Sequence, residues 1–172
     1  MITKLLTAAC AVAVVGVLAG CGGGSNSTAG GNSGTQNNPP AKAALSCDLA
    51  PASLVNSTLG TNVGSPAAQT LGDVVVCTYA PTSGIGTVIL RVQNDRAPAD
   101  FTTARGQSDA QGIKTTDLPG FEDKAYTSTI SAASITTNTV VALKGTVEIL
   151  VSSPASFDQE KALEPQLFSK FS

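Results

Sequence analysis

The chain has 172 residues, 13% of them charged and 4% aromatic, with no His, no Trp and a formal net charge of −2. A weakly acidic chain without a basic cluster is unsuited to nucleic acid, whose phosphates must be met by Lys and Arg, so no nucleic-acid partner is expected. Without His the usual base of a serine nucleophile is missing, and so is an imidazole for a metal site; no cofactor and no metal are expected.

Lys4 is followed over residues 5–18 by an almost wholly apolar run without charge. That run is short for a ~30 Å hydrocarbon core, which takes roughly 20 apolar residues. A charged start, a short apolar middle and a small-residue end describe a secretory signal over residues 1–20 rather than a membrane helix. Leu18-Ala19-Gly20-Cys21 then resembles the bacterial lipobox position for position. The resemblance implies cleavage between Gly20 and Cys21 and a diacylglyceryl group on the Cys21 thiol. Two or three acyl chains, at ~0.8 kcal/mol per buried methylene, hold where a single chain is marginal. The expected location is extracytoplasmic, on the outer face of the cell membrane, with the membrane itself as partner through lipidated Cys21.

Residues 21–44 run on in Gly, Ser, Asn, Thr and Gln and end beyond Pro39-Pro40. Such a segment cannot bury enough surface to offset its ordering entropy, so a disordered tether is expected, with a typical reach of ~25 Å. Residues 45–172 remain for a single globular domain. Cys10 leaves with the signal and Cys21 is acylated, so Cys47 and Cys77 stand as an even pair in an exported chain, where disulfides persist. With no C-x-x-C and no His beside them, a structural disulfide is favoured over a redox pair or metal ligands.

Residues 48–60 read as a short helix: Pro51 suits a first turn, Leu54, Val55 and Leu59 give a partial apolar face, and Gly60 stops it. Residues 73–79 alternate as a strand with Val75, Cys77 and Tyr79 on one side, so Cys77 would tie the sheet to the segment before the helix. Residues 87–93 alternate again, with Val88, Leu90 and Val92 together, and make a hairpin with the preceding strand. A weaker helix spans 98–110, with Phe101, Ala104 and Ser108 at near-helical spacing and Gly112 beyond. Strands follow at 125–129, 134–143 and 146–152, the last two flanking a tight turn at Lys144-Gly145. Ser156-Phe157-Asp158-Gln159 resembles a capping box. Leu163, Leu167 and Phe171 then face the sheet, while Pro165 predicts a kink or two short helices. The fold class is α+β: an antiparallel sheet of about five strands, in the order α-β-β-α-β-β-β-α, with the helices packed on one face.

Cys47-Asp48-Leu49, Pro51-Ala52, Leu59-Gly60, Cys77-Thr78-Tyr79 and Pro119-Gly120-Phe121-Glu122-Asp123-Lys124-Ala125 resemble the outline of small actinobacterial secreted lipoproteins that carry a domain of unknown function. The resemblance spans roughly residues 45–172. It implies secretion, lipidation and one disulfide, and it carries over no catalytic residue.

Gly106-Gln107-Ser108-Asp109-Ala110 looks like a variant nucleophile elbow, but it falls in a helix and has no His; a Ser-Lys dyad would need Lys114 or Lys144 beside Ser108. Asp117, Glu122 and Asp123 cluster in one loop without the ligand order of a calcium loop, which favours a solvated turn. Phe101, Phe121, Phe157, Phe168 and Phe171 would line an apolar ligand cleft, against the commoner use of phenylalanine as core. The expected function is a non-enzymatic envelope accessory, binding an envelope protein or an apolar lipid-like ligand. The alternatives are a hydrolase or transferase with an unusual Ser or carboxylate site, and a purely structural surface protein.

Overall fold

The computed structural model describes residues 45–132 and 134–171. The signal, the tether and the Gly20–Cys21 processing site lie outside the described residues. Among the described residues no helix is long and apolar enough to cross a membrane.

A 3₁₀ turn, Cys47–Leu49, opens the domain, and α1 (Ala52–Leu59) follows Pro51. Gly60 ends α1 at a φ of +67°, a left-handed conformation that costs glycine nothing. Seven strands form one sheet: β1 (Ala67–Leu71), β2 (Val74–Tyr79), β3 (Val88–Gln93), β4 (Thr115–Asp117), β5 (Lys124–Ala132), β6 (Ile135–Lys144) and β7 (Val147–Ser153). Their order is β1-β2-β3-β7-β6-β5-β4, and every neighbouring pair is antiparallel. Two meanders, β1–β3 and β4–β7, therefore meet at the β3–β7 pairing. Helix α2 (Pro98–Ala110) carries the chain from the centre to the far edge, and α3 (Phe157–Phe171) closes the domain.

The α+β class and the antiparallel sheet stand. The count does not: there are seven strands rather than about five, in the order α-β-β-β-α-β-β-β-β-α. β1 is exposed at all five positions, so it lacks the alternation that marks a half-buried strand. It forms because the Gly72-Asp73 turn folds it back onto β2, pairing Leu71 with Val74. β4 is only three residues long and is held by its pairing with β5.

The helices also take both faces rather than one. On the first face Cys77, Leu90, Val151 and Val140 lie opposite one another in successive strands, and all are buried. Leu163, Leu167 and Phe168 of α3 close that face without exposure, and Val55 and Leu59 of α1 join the same core. The second face takes α2, whose Phe101 packs with Tyr126, Val141 and Leu143. The reason is visible in β6, where Val140 and Ala142 on one face and Val141 and Leu143 on the other are all apolar and buried, so both faces need cover.

Cys47 and Cys77 are joined by a disulfide, tying the turn before α1 to β2. The capping box of α3 forms as read: the Ser156 N–H donates to Gln159 Oε1 at 3.0 Å, and the Gln159 N–H to Ser156 Oγ at 3.4 Å. Pro165 does not divide the helix. It lies on the exposed side of one continuous α3, where no packed neighbour depends on the ladder bond it removes.

Candidate functional site

A cleft of about 580 Å³ opens between α2 and the loop that joins β4 to β5. Phe101, Thr102 and Arg105 line it from α2, Asp117 from β4, and Leu118, Phe121 and Glu122 from the loop. Phe101 is set by its ring contact with Tyr126, centroids 5.4 Å apart. Leu118 and Phe121 are half-buried and rest against the main core. The cleft therefore joins apolar and charged side chains in one lining. Its volume falls in the range that takes a small organic ligand.

The polar groups of the lining are anchored by the fold. Arg105 stacks over the Tyr126 ring at 5.9 Å, donates from Nε to Thr115 Oγ1 at 2.9 Å and pairs with Asp117. Thr115 in turn donates its N–H to Asp109 at 2.9 Å. That backbone bond, with the Thr115 hydroxyl second, holds the Asp109 carboxyl below its usual range. Lys124 Nζ donates to the Pro98 carbonyl and to Thr102 Oγ1, both at 3.2 Å, and so ties β5 to the start of α2. The loop turns through Gly120 at φ +79° and Glu122 at φ +49°. A non-glycine residue in that region is uncommon, and here the Glu122 carboxylate is fixed by Lys144 Nζ at 3.2 Å.

Two acids of the domain interior were passed over by the sequence analysis. Glu160 and Glu164 of α3 are both fully buried. The Ser153 hydroxyl donates to Glu160 Oε1 at 2.7 Å, but Glu160 Oε2 and both oxygens of Glu164 have no hydrogen-bond partner. Burial pushes the Glu160 carboxyl up to about 8, with Ser153 pulling the other way. Glu164 is raised well above the carboxylate range, by burial first and then by the charges of Glu160 and Glu122. A signal for them existed. Residues 160, 163, 164, 167, 168 and 171 form one helical stripe, and the apolar members of that stripe carry Glu160 and Glu164 into the core with them.

The five phenylalanines do not share one cleft. Phe101 and Phe121 do line it, from opposite walls. Phe168 and Phe171 are core residues on the first face of the sheet, and Phe157 is half-buried at the start of α3. Ser108 Oγ donates to the Ala104 carbonyl at 3.2 Å inside α2, and Lys144 lies on the other face of the sheet beside the Phe168 ring. No Ser108–Lys144 pair is assembled. The three loop acids turn to separate partners: Asp117 to Arg105, Glu122 to Lys144, and Asp123 to the Gly145 N–H at 2.6 Å. No family model, no curated protein and no solved structure matches this chain.

Proposed function

We propose that this protein is an extracytoplasmic lipoprotein of the type its lipobox and domain outline resemble. Cys21 holds it to the outer face of the membrane, and residues 45–172 form a non-enzymatic binding domain. Its ligand is an amphipathic envelope molecule, with an apolar part between Phe101 and Phe121 and a polar part at Arg105 and Lys124. The observation that carries this reading is the cleft itself: Phe101 from α2 and Leu118 and Phe121 from the loop share one lining with the charged Arg105 and Lys124. Apolar concavities with a few fixed polar groups are where small-molecule sites form. Catalysis has less support, because Ser108 is bonded within its own helix and the acids of the loop are engaged apart from one another.

Two measurements test it. Intact mass of the membrane-extracted chain should show an acylated N-terminal Cys21, and Cys21→Ala should release or misprocess the protein; an unmodified mature chain starting elsewhere overturns the anchoring. Native mass spectrometry of the same material should show a retained small molecule, and a fluorescent long-chain fatty acid should bind with at least about tenfold lower affinity to Phe121→Ser. Protein that arrives empty and fails to bind the fatty acid overturns the cleft as a ligand site.

A further inference from the structure

The β4–β5 loop is held by few contacts, and its Glu122 acts on the buried carboxyl of Glu164 in α3. From Leu118 to Asp123 its backbone is fixed at the ends, by the Leu118 N–H on the Ala125 carbonyl and the Asp123 N–H on the Leu143 carbonyl, both at 3.0 Å. Between these ends, what holds it down among the described residues is the 3.4 Å Phe121 N–H to Leu118 bond, the apolar contacts of Leu118 and Phe121, and the Glu122–Lys144 pair. Helix α3 opposite is far more firmly seated, by Leu163, Leu167, Phe168 and Phe171 in the main core.

Among the described residues, the charged and titratable groups around Glu164 leave no cation to meet it. On α3, Glu160 stands one turn back, Asp158 and Lys161 pair with each other at 2.7 Å, and Lys170 donates to the Leu49 carbonyl. From β6, Lys144 is taken by Glu122; from β7, the Ser153 hydroxyl is taken by Glu160, and Glu148 belongs to the second face, where Arg91 and Arg96 pair with it. The loop brings Glu122 toward Glu164 and turns Asp123 to Gly145. α1 offers no titratable side chain, Asp48 of the 3₁₀ turn is exposed, and the Tyr79 hydroxyl is bonded to the Ala50 carbonyl. An ionised Glu164 would thus be a buried, unpaired anion beside two further carboxyl groups, a state that costs several kcal/mol and is relieved by admitting water.

We propose that the β4–β5 loop is a proton-gated wall of the cleft: it stays closed over α3 while Glu164 is neutral and swings away when Glu164 ionises. This rests on the reading of the cleft as the binding site, since the moving wall carries Phe121 and Leu118. The loop yields rather than α3 because it has two half-buried apolar anchors against four buried ones. Opening hydrates Glu164, separates it from Glu122 and dismantles the apolar wall. Acid therefore retains a ligand and alkali releases it.

Hydrogen exchange of the ligand-free full chain between pH 5 and pH 9 tests the gate independently of any ligand. After correction for the intrinsic rate, protection at 120–122 should fall with rising pH, by up to about tenfold per pH unit as one proton is lost on opening. Amides of β3 and β7 should keep their protection. Glu164→Gln, which mimics the neutral acid, should flatten most of that slope, and Glu160→Gln with Glu164→Gln should remove it. Protection at 120–122 that is level across this range in the wild type overturns the proposal, whatever the variants do. So does a slope that persists in the double variant, or one shared equally by β3 and β7, which would report global unfolding.

Discussion

Tyr79 is fully buried, and its hydroxyl donates to the Ala50 carbonyl just after the 3₁₀ turn. Burial pushes its phenol up to about 12. Tyr126 is raised as well, by burial first and by the Glu148 carboxylate second. These are the two tyrosines of the chain, so the native protein should show less tyrosinate absorbance at pH 10.5 than the unfolded chain, whose tyrosines are more than half ionised there. The sign follows from the proton count: above a pKa of ~10 the unfolded chain loses a phenolic proton that the folded one keeps. Stability contributed by Tyr79 is therefore full below about pH 10 and declines toward pH 12. A native spectrum that titrates near pH 10 would contradict this. None of it was legible in the sequence, where Tyr79 showed only as one member of an alternating strand. The buried glutamates show the same limit from the other side: their helical stripe was readable, but whether a carboxyl group in it is covered depends on what packs against the helix.

Gln159 couples two helices that lie a hundred residues apart. Its Oε1 accepts from the Ser156 N–H in the capping box, while Nε2 donates to the Leu59 carbonyl at the end of α1, at 2.9 Å. Gly60, the residue that ends α1, comes within 2.9 Å of that same amide at the position a Cβ would take. Gln159→Glu keeps the box acceptor, removes the donor and sets a carboxylate against the negative end of α1. It should cost ~1–2 kcal/mol, read as a lower denaturant midpoint with unchanged slope. Gly60→Ala should cost a similar ~1–2 kcal/mol, from left-handed strain and the crowded amide together. Equal stability in both variants would mean that α1 and α3 are not joined there. At this scale the sequence was most legible where a local rule sufficed: the bounds of α2, the Gly60 stop, the capping box and the alternating β2 and β3. It was least legible where an element exists only through its partner. β1 has no buried position of its own, and α2 has a single buried residue, so nothing local told which face it would cover.

Across the whole domain the disulfide and the cleft sit toward opposite ends of the sheet. Cys77 is in β2, next to the β1 edge, while the cleft is built on β4 and β5 at the other edge. The pairing could be read from cysteine arithmetic because only two candidates were left. The cleft could not, since Phe101 and Phe121 meet only after β4 has folded back onto β5 and α2 has chosen its face. This separation makes the effects of the two features independent. The crosslink spans 30 residues, and in the chain-entropy account a loop of that size stabilises by ~3–4 kcal/mol. Replacing both cysteines, Cys47→Ala with Cys77→Ala, should therefore lower the denaturant midpoint by an equivalent amount without dissolving the fold. The turn it tethers is still held by the Tyr79 hydroxyl on the Ala50 carbonyl and by Lys170 on the Leu49 carbonyl at 3.0 Å. Because β3, β7 and β6 stand between the crosslink and the cleft, fatty-acid affinity and the pH profile of exchange at 120–122 should match the wild type. A double variant that loses stability and cleft behaviour together would show that the disulfide braces the whole sheet, and not only the turn ahead of α1.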